Sequence, residues 1–525
     1  MKLTICVTLL LVVLSCLYVS AQDRPECNIY ISNLNINGSV GCGSSWSQPC
    51  NTLEQGILSC DALNVTQIMN FYFYEGTYVL TNHTMSIYNQ MVFVYGSPNA
   101  TTTFDFKQMS DPVLEITEDE GTNDDRTQFF LYNATVVNLN APLVKAVTMN
   151  SDCSIEVNGC SFVNNKPGNE SLFYLVSGDV TTGIFPNWIS LMIIDSIFSS
   201  TYGTNELGGS IFHGVHVNSG IENSEFKDNS ASGNLVYTQN GDLNIRGSIF
   251  SQNILIASQD TTPKALVQVV NQTSTSQIFE NNTFILNSNN QLSAPYVSVY
   301  IFSNSTANIT DSLFTQNSMN AIYAVNNGSI NVINCEFTFS PGFPTLYTST
   351  SNNLTVTQSN FTANNIADPI TSEPIIQAYQ LANLDVTSCQ VTANNGYFLI
   401  TSNAHTYFSA LVIENNQNFT LVQCEQQSEI ILDADLTISN NTMNNNDDFI
   451  SCQEDSCDIT SVRLDQYSCN ATPDDTDKKK GLSNGAKAAI IICVIGFVVL
   501  VTVIVIILVK RSHHRHHYHS IDNHH

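Results

Sequence analysis

Apolar and polar positions recur along most of the chain in short units of similar pattern. The clearest unit, residues 243–253, reads L-N-I-R-G-S-I-F-S-Q-N. Counted back from its phenylalanine, the anchor, an apolar residue stands five positions earlier, a turn or polar residue three earlier, and Ser, Cys or Asn two earlier. Ten units share this pattern, with anchors at Phe162, Phe198, Phe226, Phe250, Phe284, Phe314, Phe337, Phe361, Val391 and Met443.

Each unit predicts two short strands joined by a turn. Apolar residues at seven and five positions before the anchor, and at the anchor itself, turn one face of each strand toward a common axis. One unit is too short to bury its own apolar face, so units must stack, with strands about 4.8 Å apart and small polar residues laddered inside. The pattern therefore predicts an all-β solenoid.

The anchors lie 23 to 36 residues apart, except for a last interval of 52 residues. This long interval predicts one degenerate coil near residues 411–418. Its register stays open because Asn418 begins a glycosylation sequon, and a glycan cannot point inward. Eleven stacked coils would rise by about 50 Å, before any N-terminal coils are added.

Residues 27–80 resemble the opening of right-handed parallel β-helix domains of the pectin-lyase-like type. In that family a first strand, a P-x-x-T-[IL] turn, a capping helix and a G-T-Y strand end begin the coil. The matching residues here are Pro49, Thr52, Leu53, Gly76, Thr77 and Tyr78. Six units also carry Phe-x-x-Asn in register, which resembles the repeats of polymorphic outer-membrane proteins of chlamydiae. The resemblance implies a right-handed parallel β-helix for residues 22–469, with residues 27–80 as its cap and first coil.

The two ends of the chain predict its topology. Residues 1–21 have the charged start, apolar core and small-residue exit of a secretory signal peptide. Residues 488–509 are uncharged and long enough to cross a hydrocarbon core of about 30 Å as one transmembrane α-helix. Residues 470–487 read as a flexible linker, and residues 510–525 as a His-rich cytoplasmic tail.

These segments predict a single-pass type I protein of the plasma membrane. Lysines on the outer side, Lys478, Lys479, Lys480 and Lys487, outnumber the cations Lys510, Arg511 and Arg515 on the inner side, so the positive-inside pattern opposes this orientation mildly. The cleaved leader decides the matter, because it commits the N-terminus to the lumen before the transmembrane helix is made.

The charge balance excludes some partners. Between residues 22 and 487 there are 13 Lys or Arg against 44 Asp or Glu, a balance of −31. Such a surface repels nucleic acid and anionic glycans. We therefore expect the membrane, and an extracellular protein or glycan, as partners.

Twelve of the 15 cysteines lie between the leader and the transmembrane segment, an even number that suits an oxidising compartment. The candidate disulfides are Cys42/Cys50, Cys153/Cys160, Cys452/Cys457 and Cys27/Cys60, although connectivity stays open at this stage. Cys335 and Cys389 share one interior ladder with Cys160, but the coil of Ser359 separates them by about 9.6 Å, beyond disulfide reach. We expect these two not to be bonded to each other.

N-glycosylation sequons are frequent, and we expect more than half to carry glycan in a secreted protein. Chance sequons in a chain rich in Asn, Ser and Thr are the alternative for the rest. The candidate asparagines are Asn37, Asn64, Asn82, Asn99, Asn133, Asn169, Asn271, Asn281, Asn304, Asn308, Asn327, Asn353, Asn360, Asn418, Asn440 and Asn470.

Neither a catalytic nor a metal site is predicted, and no cofactor is expected. The Gly-His-Gly and Arg-Ile-Lys tripeptides of polygalacturonase-like sites are absent, and the basic residues that lyase chemistry needs are scattered. Asp124-Asp125 and Asp447-Asp448 read as solvated loop carboxylates, with a catalytic or calcium role as the alternative. His213 and His216 read as ordinary surface or core histidines rather than metal ligands.

The tail carries seven histidines in 16 residues. Such tracts bind transition metals or gain charge below about pH 6.5, and low-complexity drift is the alternative. Tyr518-His519-Ser520-Ile521 matches the Tyr-x-x-bulky-apolar signal that clathrin adaptors read. Tyr518 and Ile521 are thus candidate sorting residues, which implies an adaptor partner and endosomal recycling.

Together these observations favour a cell-surface glycoprotein that acts as a non-enzymatic rod for recognition or adhesion. The alternative is a membrane-tethered carbohydrate-active enzyme of the polysaccharide lyase or hydrolase type. A purely structural coat spacer is a third hypothesis, and it predicts that no ligand exists.

Overall fold

The computed structural model describes residues 26–33, 42–64, 67–80, 84–107, 109–116, 126–148, 152–178, 189–206, 208–256, 262–271, 276–289, 296–304, 306–340, 344–364, 373–443, 449–452 and 457–461. Within these ranges, strands from successive coils pair in parallel into three long sheets and a short one. One α-helix, Leu53–Ala62, follows the first strand in the described part of the chain. The fold is a parallel β-helix, as the repeat predicted.

Sheet 1 holds the strands that precede the turn of each unit. Its 16 strands in the described ranges are Glu26–Ile31, Ile68–Phe73, Met91–Tyr95, Arg126–Tyr132, Asp152–Asn158, Ile189–Ile194, Val217–Glu222, Leu243–Arg246, Ser276–Glu280, Thr306–Thr310, Ser329–Ile333, Asn353–Thr357, Asn383–Thr387, His405–Ser409, Ser428–Leu432 and Cys457–Ser461.

Sheet 2 holds the short strands that carry the anchors. Its 14 strands in the described ranges are Gly76–Val79, Thr102–Asp105, Thr135–Val137, Ser161–Val163, Ile197–Ser199, Glu225–Lys227, Ile249–Ser251, Thr283–Ile285, Leu313–Thr315, Glu336–Thr338, Asn360–Thr362, Gln390–Thr392, Val412–Glu414 and Thr437–Ser439.

Sheet 3 closes each coil before the chain returns to sheet 1. Its 14 strands in the described ranges are Met85–Ile87, Leu114–Ile116, Val144–Thr148, Phe173–Ser177, Gly209–Val215, Asn234–Gln239, Lys264–Asn271, Tyr296–Ser303, Asn320–Val325, Leu346–Ser349, Ile376–Tyr379, Asn395–Ser402, Gln417–Glu425 and Ile450–Cys452. Four short strands form sheet 4 between sheets 2 and 3: Tyr202–Gly203, Ser230–Ala231, Ile254–Leu255 and Ser288–Asn289.

Each coil bends beside sheet 2 at residues with a left-handed backbone. The bend between sheets 1 and 2 lies three positions before the anchor, with φ of 64° at Gly159, 48° at Asp195 and 49° at Asn223. A second bend follows two positions after the anchor, as at Asn164 with φ of 56°. Glycine, asparagine and aspartate tolerate this conformation best, which explains why the repeat carries them before the anchor.

The anchors form a continuous aromatic column inside the coil. Successive rings stack with centroids 4.6 to 5.2 Å apart, and each side chain is fully buried. The stacked residues are Phe162, Phe198, Phe226, Phe250, Phe284, Phe314, Phe337 and Phe361. Because the rings repeat at the strand spacing, apolar burial and stacking select the same register.

Two polar ladders also run through the interior. The predicted ladder two positions before the anchor is present, and backbone N–H groups of Cys160 and Ser196 donate to the hydroxyl of the next coil, at 3.2 Å and 3.1 Å. The second ladder consists of the asparagines of Phe-x-x-Asn, which are buried. The sequence motif alone does not predict this interior position.

The register of the C-terminal coils differs from the prediction at one anchor. A degenerate coil does lie between Val391 and Met443, with Ile413 as its buried anchor. The next anchor is Ile438, which pairs with Ile413, whereas Met443 lies outside sheet 2 and is 36% exposed. Ile438 stands five positions before Met443, where the unit pattern expects an apolar residue, but Ile438 is itself the anchor.

The N-terminal cap joins the helix to the first strand. The side chain of Thr52 caps the helix by accepting a hydrogen bond from the backbone N–H of Gln55. A disulfide between Cys27 and Cys60, with Cα atoms 5.7 Å apart, fastens the helix to the strand. A second disulfide joins Cys42 and Cys50, so both predicted cap pairs are formed.

The predicted pair Cys153/Cys160 is not formed. Both are buried free thiols, and burial raises the pKa of each to about 12. Cys457, which the sequence paired with Cys452, forms a disulfide with Cys424 of the adjacent coil, because parallel stacking brings residues of successive coils together. Cys452 is itself disulfide-bonded.

Cys335 and Cys389 are both free, with the coil of Ser359 between them. Their side chains point into the ladder that was predicted for them.

Contacts divide the chain into the units Met1–Cys469 and Asn470–His525, and all described residues belong to the first. Within the described ranges, no helix is both long and apolar enough to cross a membrane. The predicted signal peptide, transmembrane helix and tail, with Tyr518 and Ile521, lie outside the described residues.

Candidate functional site: a polar cleft on sheet 1

Strand alternation on sheet 1 sends polar side chains outward in the C-terminal coils. Leu384 and Val386 face the core, so Asp385 between them faces out, and the next strand presents Tyr407 in the same column. These side chains line a cleft of about 520 Å³, which we call the Asp385 cleft. Its lining residues are Ser329, Asn353, Leu354, Thr355, Asn383, Leu384, Asp385, His405, Thr406, Tyr407, Glu429 and Ile431.

Most polar groups of the cleft have partners. The side chain Nδ2 of Asn383 donates to Oδ1 of Asn353 at 2.7 Å, and Nδ1 of His405 lies 2.8 Å from Oε2 of Glu429. Two solvent-inaccessible oxygens are exceptions that lack a partner, Oδ1 of Asp385 and Oγ1 of Thr406. A buried carboxylate oxygen without a partner is costly, so a turn of the Asp385 carboxyl group that brings it to a donor in the cleft would be favourable.

Two carboxyl groups beside Tyr407 have pKa values shifted in opposite directions. Burial raises the pKa of Asp385. Asp433 accepts hydrogen bonds from the backbone N–H of Ala434 and from the hydroxyl of Tyr407, at 3.0 Å, and these donors lower its pKa. Asp385 therefore holds a proton to higher pH than Asp433 does.

The described coils from residue 265 to residue 461, which include the cleft, carry no side chain with a permanent positive charge. The sequence contains no Lys or Arg between Lys264 and Arg463, and the same stretch holds 16 Asp or Glu. The cleft therefore suits a neutral or cationic ligand and disfavours an anionic one. Its carboxylates, amides and hydroxyls can hydrogen-bond a polyhydroxylated molecule.

The carboxylate pairs that the sequence suggested, Asp124-Asp125 and Asp447-Asp448, lie outside the described residues. His213 and His216 are on or beside sheet 3, and His213 stacks between the rings of Tyr174 and Tyr237, with centroids 5.0 Å away on each side. Among the residues that the structure describes, no group of three or more His, Cys, Asp or Glu could hold a metal ion.

His213 makes stability depend on pH. Burial lowers its pKa from 6.5 to about 4, so the folded chain binds fewer protons than the unfolded chain between these values. Stability is therefore present above pH 6.5 and falls as the pH drops toward 4, by at most roughly 3 kcal/mol.

We expect His213→Phe, which keeps an aromatic ring between the tyrosines, to flatten this dependence. Thermal midpoints of both proteins at pH 7.5 and 4.5 measure it. Equal acid losses for variant and wild type would contradict the prediction.

Every sequon asparagine with a described side chain avoids the core. Asn308 is half-buried, and eleven are exposed: Asn64, Asn99, Asn133, Asn169, Asn281, Asn304, Asn327, Asn353, Asn360, Asn418 and Asn440. Asn37, Asn82 and Asn470, and the side chain of Asn271, lie outside the described residues. Outward placement permits glycosylation at the eleven exposed sites, and glycosylation itself stays a prediction.

Sequence reasoning missed the cleft residues, although part of the signal was present. Asp385 stands six positions before the anchor Val391, a position that the unit pattern turns outward. Tyr407 stands six before Ile413, an anchor that the pattern had not resolved. To predict that Glu429 and His405 lie in the cleft, the register of the last coils must be known. That register is not predicted correctly when Met443 is taken as the last anchor.

Comparisons with known proteins identify similar folds only. No protein-family model matches the sequence, and neither does any curated protein. One similar structure is the catalytic unit of a GH87 α-1,3-glucanase from Streptomyces thermodiastaticus strain HF3-3, at 10% identity and a TM-score of 0.29, over 83% of this chain and 68% of that one.

A pectate lyase, Pel9A, aligns at 10% identity over 80% of this chain and 79% of its own, with a TM-score of 0.17. A rhamnogalacturonan lyase aligns at 12% identity over 84% and 88%, with a TM-score of 0.16. Likeness at this level carries no argument about activity. From its own three long parallel sheets, the described part of the chain is a parallel β-helix of the pectin-lyase type.

Proposed function

We propose that the chain is a single-pass cell-surface glycoprotein whose β-helix is a non-enzymatic rod for recognition or adhesion. The observation that carries the proposal is the Asp385 cleft, a polar site held on rigid strands of sheet 1. The ligand is a neutral, hydroxyl-rich molecule, a glycan. Sugar hydroxyls donate to the carboxyl group of Asp385, which lines the cleft, and the ring of Tyr407 supplies an apolar surface for a sugar face.

The cellular setting rests on the sequence and on the outward sequons. A secretory leader and an apolar segment of transmembrane length place the β-helix outside the plasma membrane. The exposed sequons and the cap disulfides suit that compartment. The membrane is thus one partner, and a clathrin adaptor acting on Tyr518 and Ile521, with endosomal recycling, is another.

A membrane-tethered glycoside hydrolase is the second candidate function. The observation that favours it is that Tyr407 has two carboxyl groups as neighbours, Asp385 on the adjacent strand and Asp433 at its hydroxyl, with pKa values shifted in opposite directions. In such a pair the carboxyl with the raised pKa serves as general acid and the other as base or nucleophile. On that hypothesis the cleft would turn its ligand over, and hydrolysis products would appear.

An oligosaccharide array tests the proposal. The full-length chain in detergent is applied as expressed and after enzymatic deglycosylation, so that its own glycans do not compete. We expect binding to neutral oligosaccharides, and a loss of about 10-fold to 100-fold for Asp385→Ala, because a hydrogen bond to a charged group contributes about 1.5–3 kcal/mol.

The control is Glu336→Ala, which removes an exposed carboxylate of sheet 2 outside the cleft. Equal binding by the wild type and Asp385→Ala would refute the assignment to this cleft. Release of shortened oligosaccharides by the wild type, abolished in Asp385→Ala, would favour the hydrolase.

A further inference from the structure

One sequon asparagine lies inside the Asp385 cleft. Asn353 begins the sequon Asn353-Leu354-Thr355, which coincides with the start of the sheet 1 strand Asn353–Thr357. Strand alternation buries Leu354 and turns Asn353 and Thr355 outward, and both line the cleft. The acceptor site and the cleft are therefore one surface.

The amide of Asn353 is arranged so that it can carry a glycan without losing its contact. Its Oδ1 accepts the hydrogen bond from Nδ2 of Asn383. N-glycosylation occurs on Nδ2 and leaves Oδ1 free to keep that bond. The neighbours of Asn353 on adjacent strands, Ser329 and Asn383, both line the cleft. The first sugar must therefore begin within the cleft.

We propose that an N-linked glycan on Asn353 occupies the Asp385 cleft and competes with the external ligand. Sugar hydroxyls of this glycan donate to the carboxyl group of Asp385, and its sugar rings pack beside Tyr407, as those of the ligand do. The inference rests on the proposed function, because competition requires that the cleft bind a ligand. Occupancy and trimming of one glycan then regulate access to the site.

The same coil provides a matched comparison. Asn360 also begins a short strand, belongs to a sequon and is exposed, but it lies on sheet 2 and does not line the cleft. Both asparagines sit on well-paired strands of one coil. A difference in accessibility between their glycans therefore reports on the cleft rather than on local order.

The first experiment measures enzymatic release of glycans from the folded full-length chain. Release is followed at each site by mass spectrometry of glycopeptides after non-specific proteolysis. We expect release at Asn353 to be about 10-fold slower than at Asn360, since a seated glycan forms hydrogen bonds that must first break. Asp385→Ala combined with Tyr407→Ala, which removes both the carboxyl group and the ring, should bring the two rates together.

An unoccupied Asn353, or release at the Asn360 rate in the wild type, would overturn the inference. Persistence of slow release in the double variant would also overturn it, because protection would then come from elsewhere.

The second experiment separates this inference from the proposed function. Asn353→Gln and Thr355→Ala each remove the glycan by a different residue, which guards against a folding defect in one of them. We expect both to bind neutral oligosaccharides on the array at least 10-fold more tightly than the wild type does.

If the glycan on Asn353 is protected from enzymatic release but none of the variants binds any probe, the proposed function is refuted, and competition is refuted with it. The position of the glycan in the cleft would still be supported. If all variants bind equally, the proposed function stands and competition is refuted.

Discussion

Replacement of Asn253 by alanine is expected to lower the free energy of unfolding of its region by about 3 to 5 kcal/mol. The side chain is fully buried in the asparagine ladder. Its Oδ1 accepts from the backbone N–H and from Nδ2 of Asn229, at 3.1 Å and 3.0 Å. Its Nδ2 donates to the carbonyl oxygen of Phe226 at 2.9 Å and to Oδ1 of Asn287 at 3.0 Å.

Alanine would leave the backbone N–H of Asn229 and the carbonyl oxygen of Phe226, both in the preceding coil, without these partners inside the protein, where water cannot replace the lost bonds. Hydrogen exchange of the coils around Asn253 and the thermal midpoint measure the effect. Gln390→Ala, which removes an exposed amide from a strand of sheet 2, is the control and should change stability by less than about 0.5 kcal/mol. A loss for Asn253→Ala as small as the control would show that the ladder contributes little.

Phe250→Ala is expected to cost about 3 to 5 kcal/mol for a different reason. The ring is fully buried and stacks on Phe226 at 4.6 Å and on Phe284 at 4.9 Å. Alanine opens a cavity that the hydrogen-bonded coils above and below cannot close, because their spacing is set by the strand ladders. Contacts in a solenoid are made with adjacent coils, so the loss of protection should be local.

Hydrogen exchange resolved along the chain tests both the size and the range of this effect. Phe339→Ala is the matched control, because that phenylalanine is 53% exposed and outside the column. We expect protection to fall in the coils of Phe226, Phe250 and Phe284 and to stay unchanged at the Asp385 cleft. Uniform loss along the whole chain would contradict the nearest-neighbour description.

The repeat was predictable because most coils contain residues that define the strand register locally. The anchor, the small residue before it and the bend residue three positions before it are local features, as Phe250, Ser248 and Gly247 show. Where another residue replaces the anchor phenylalanine, as at Ile413, the sequence no longer defines the strand register, and only the pairing of strands does. For this reason the sequence pattern predicts the last anchor at Met443 rather than at Ile438.

The disulfides also include pairs that local sequence predicts and a pair that depends on the stacking of coils. Cys42 and Cys50 could be paired from their separation because the chain between them is short. Cys424 and Cys457 are 33 residues apart, and stacking of successive coils brings them together. The separation of Cys153 and Cys160 is shorter still, yet they stay apart, because an extended strand and a bend direct them into different parts of the interior.

By itself, the sequence determined the solenoid and its inner face, because periodicity and turn chemistry are local properties of a chain. Only the tertiary structure decided which outward residues meet. Asn353, Asp385, Tyr407 and Glu429 come from four different coils and share one cleft because parallel strands align equivalent positions. Their proximity depends on the number of residues in each intervening loop, which the repeat leaves free to vary.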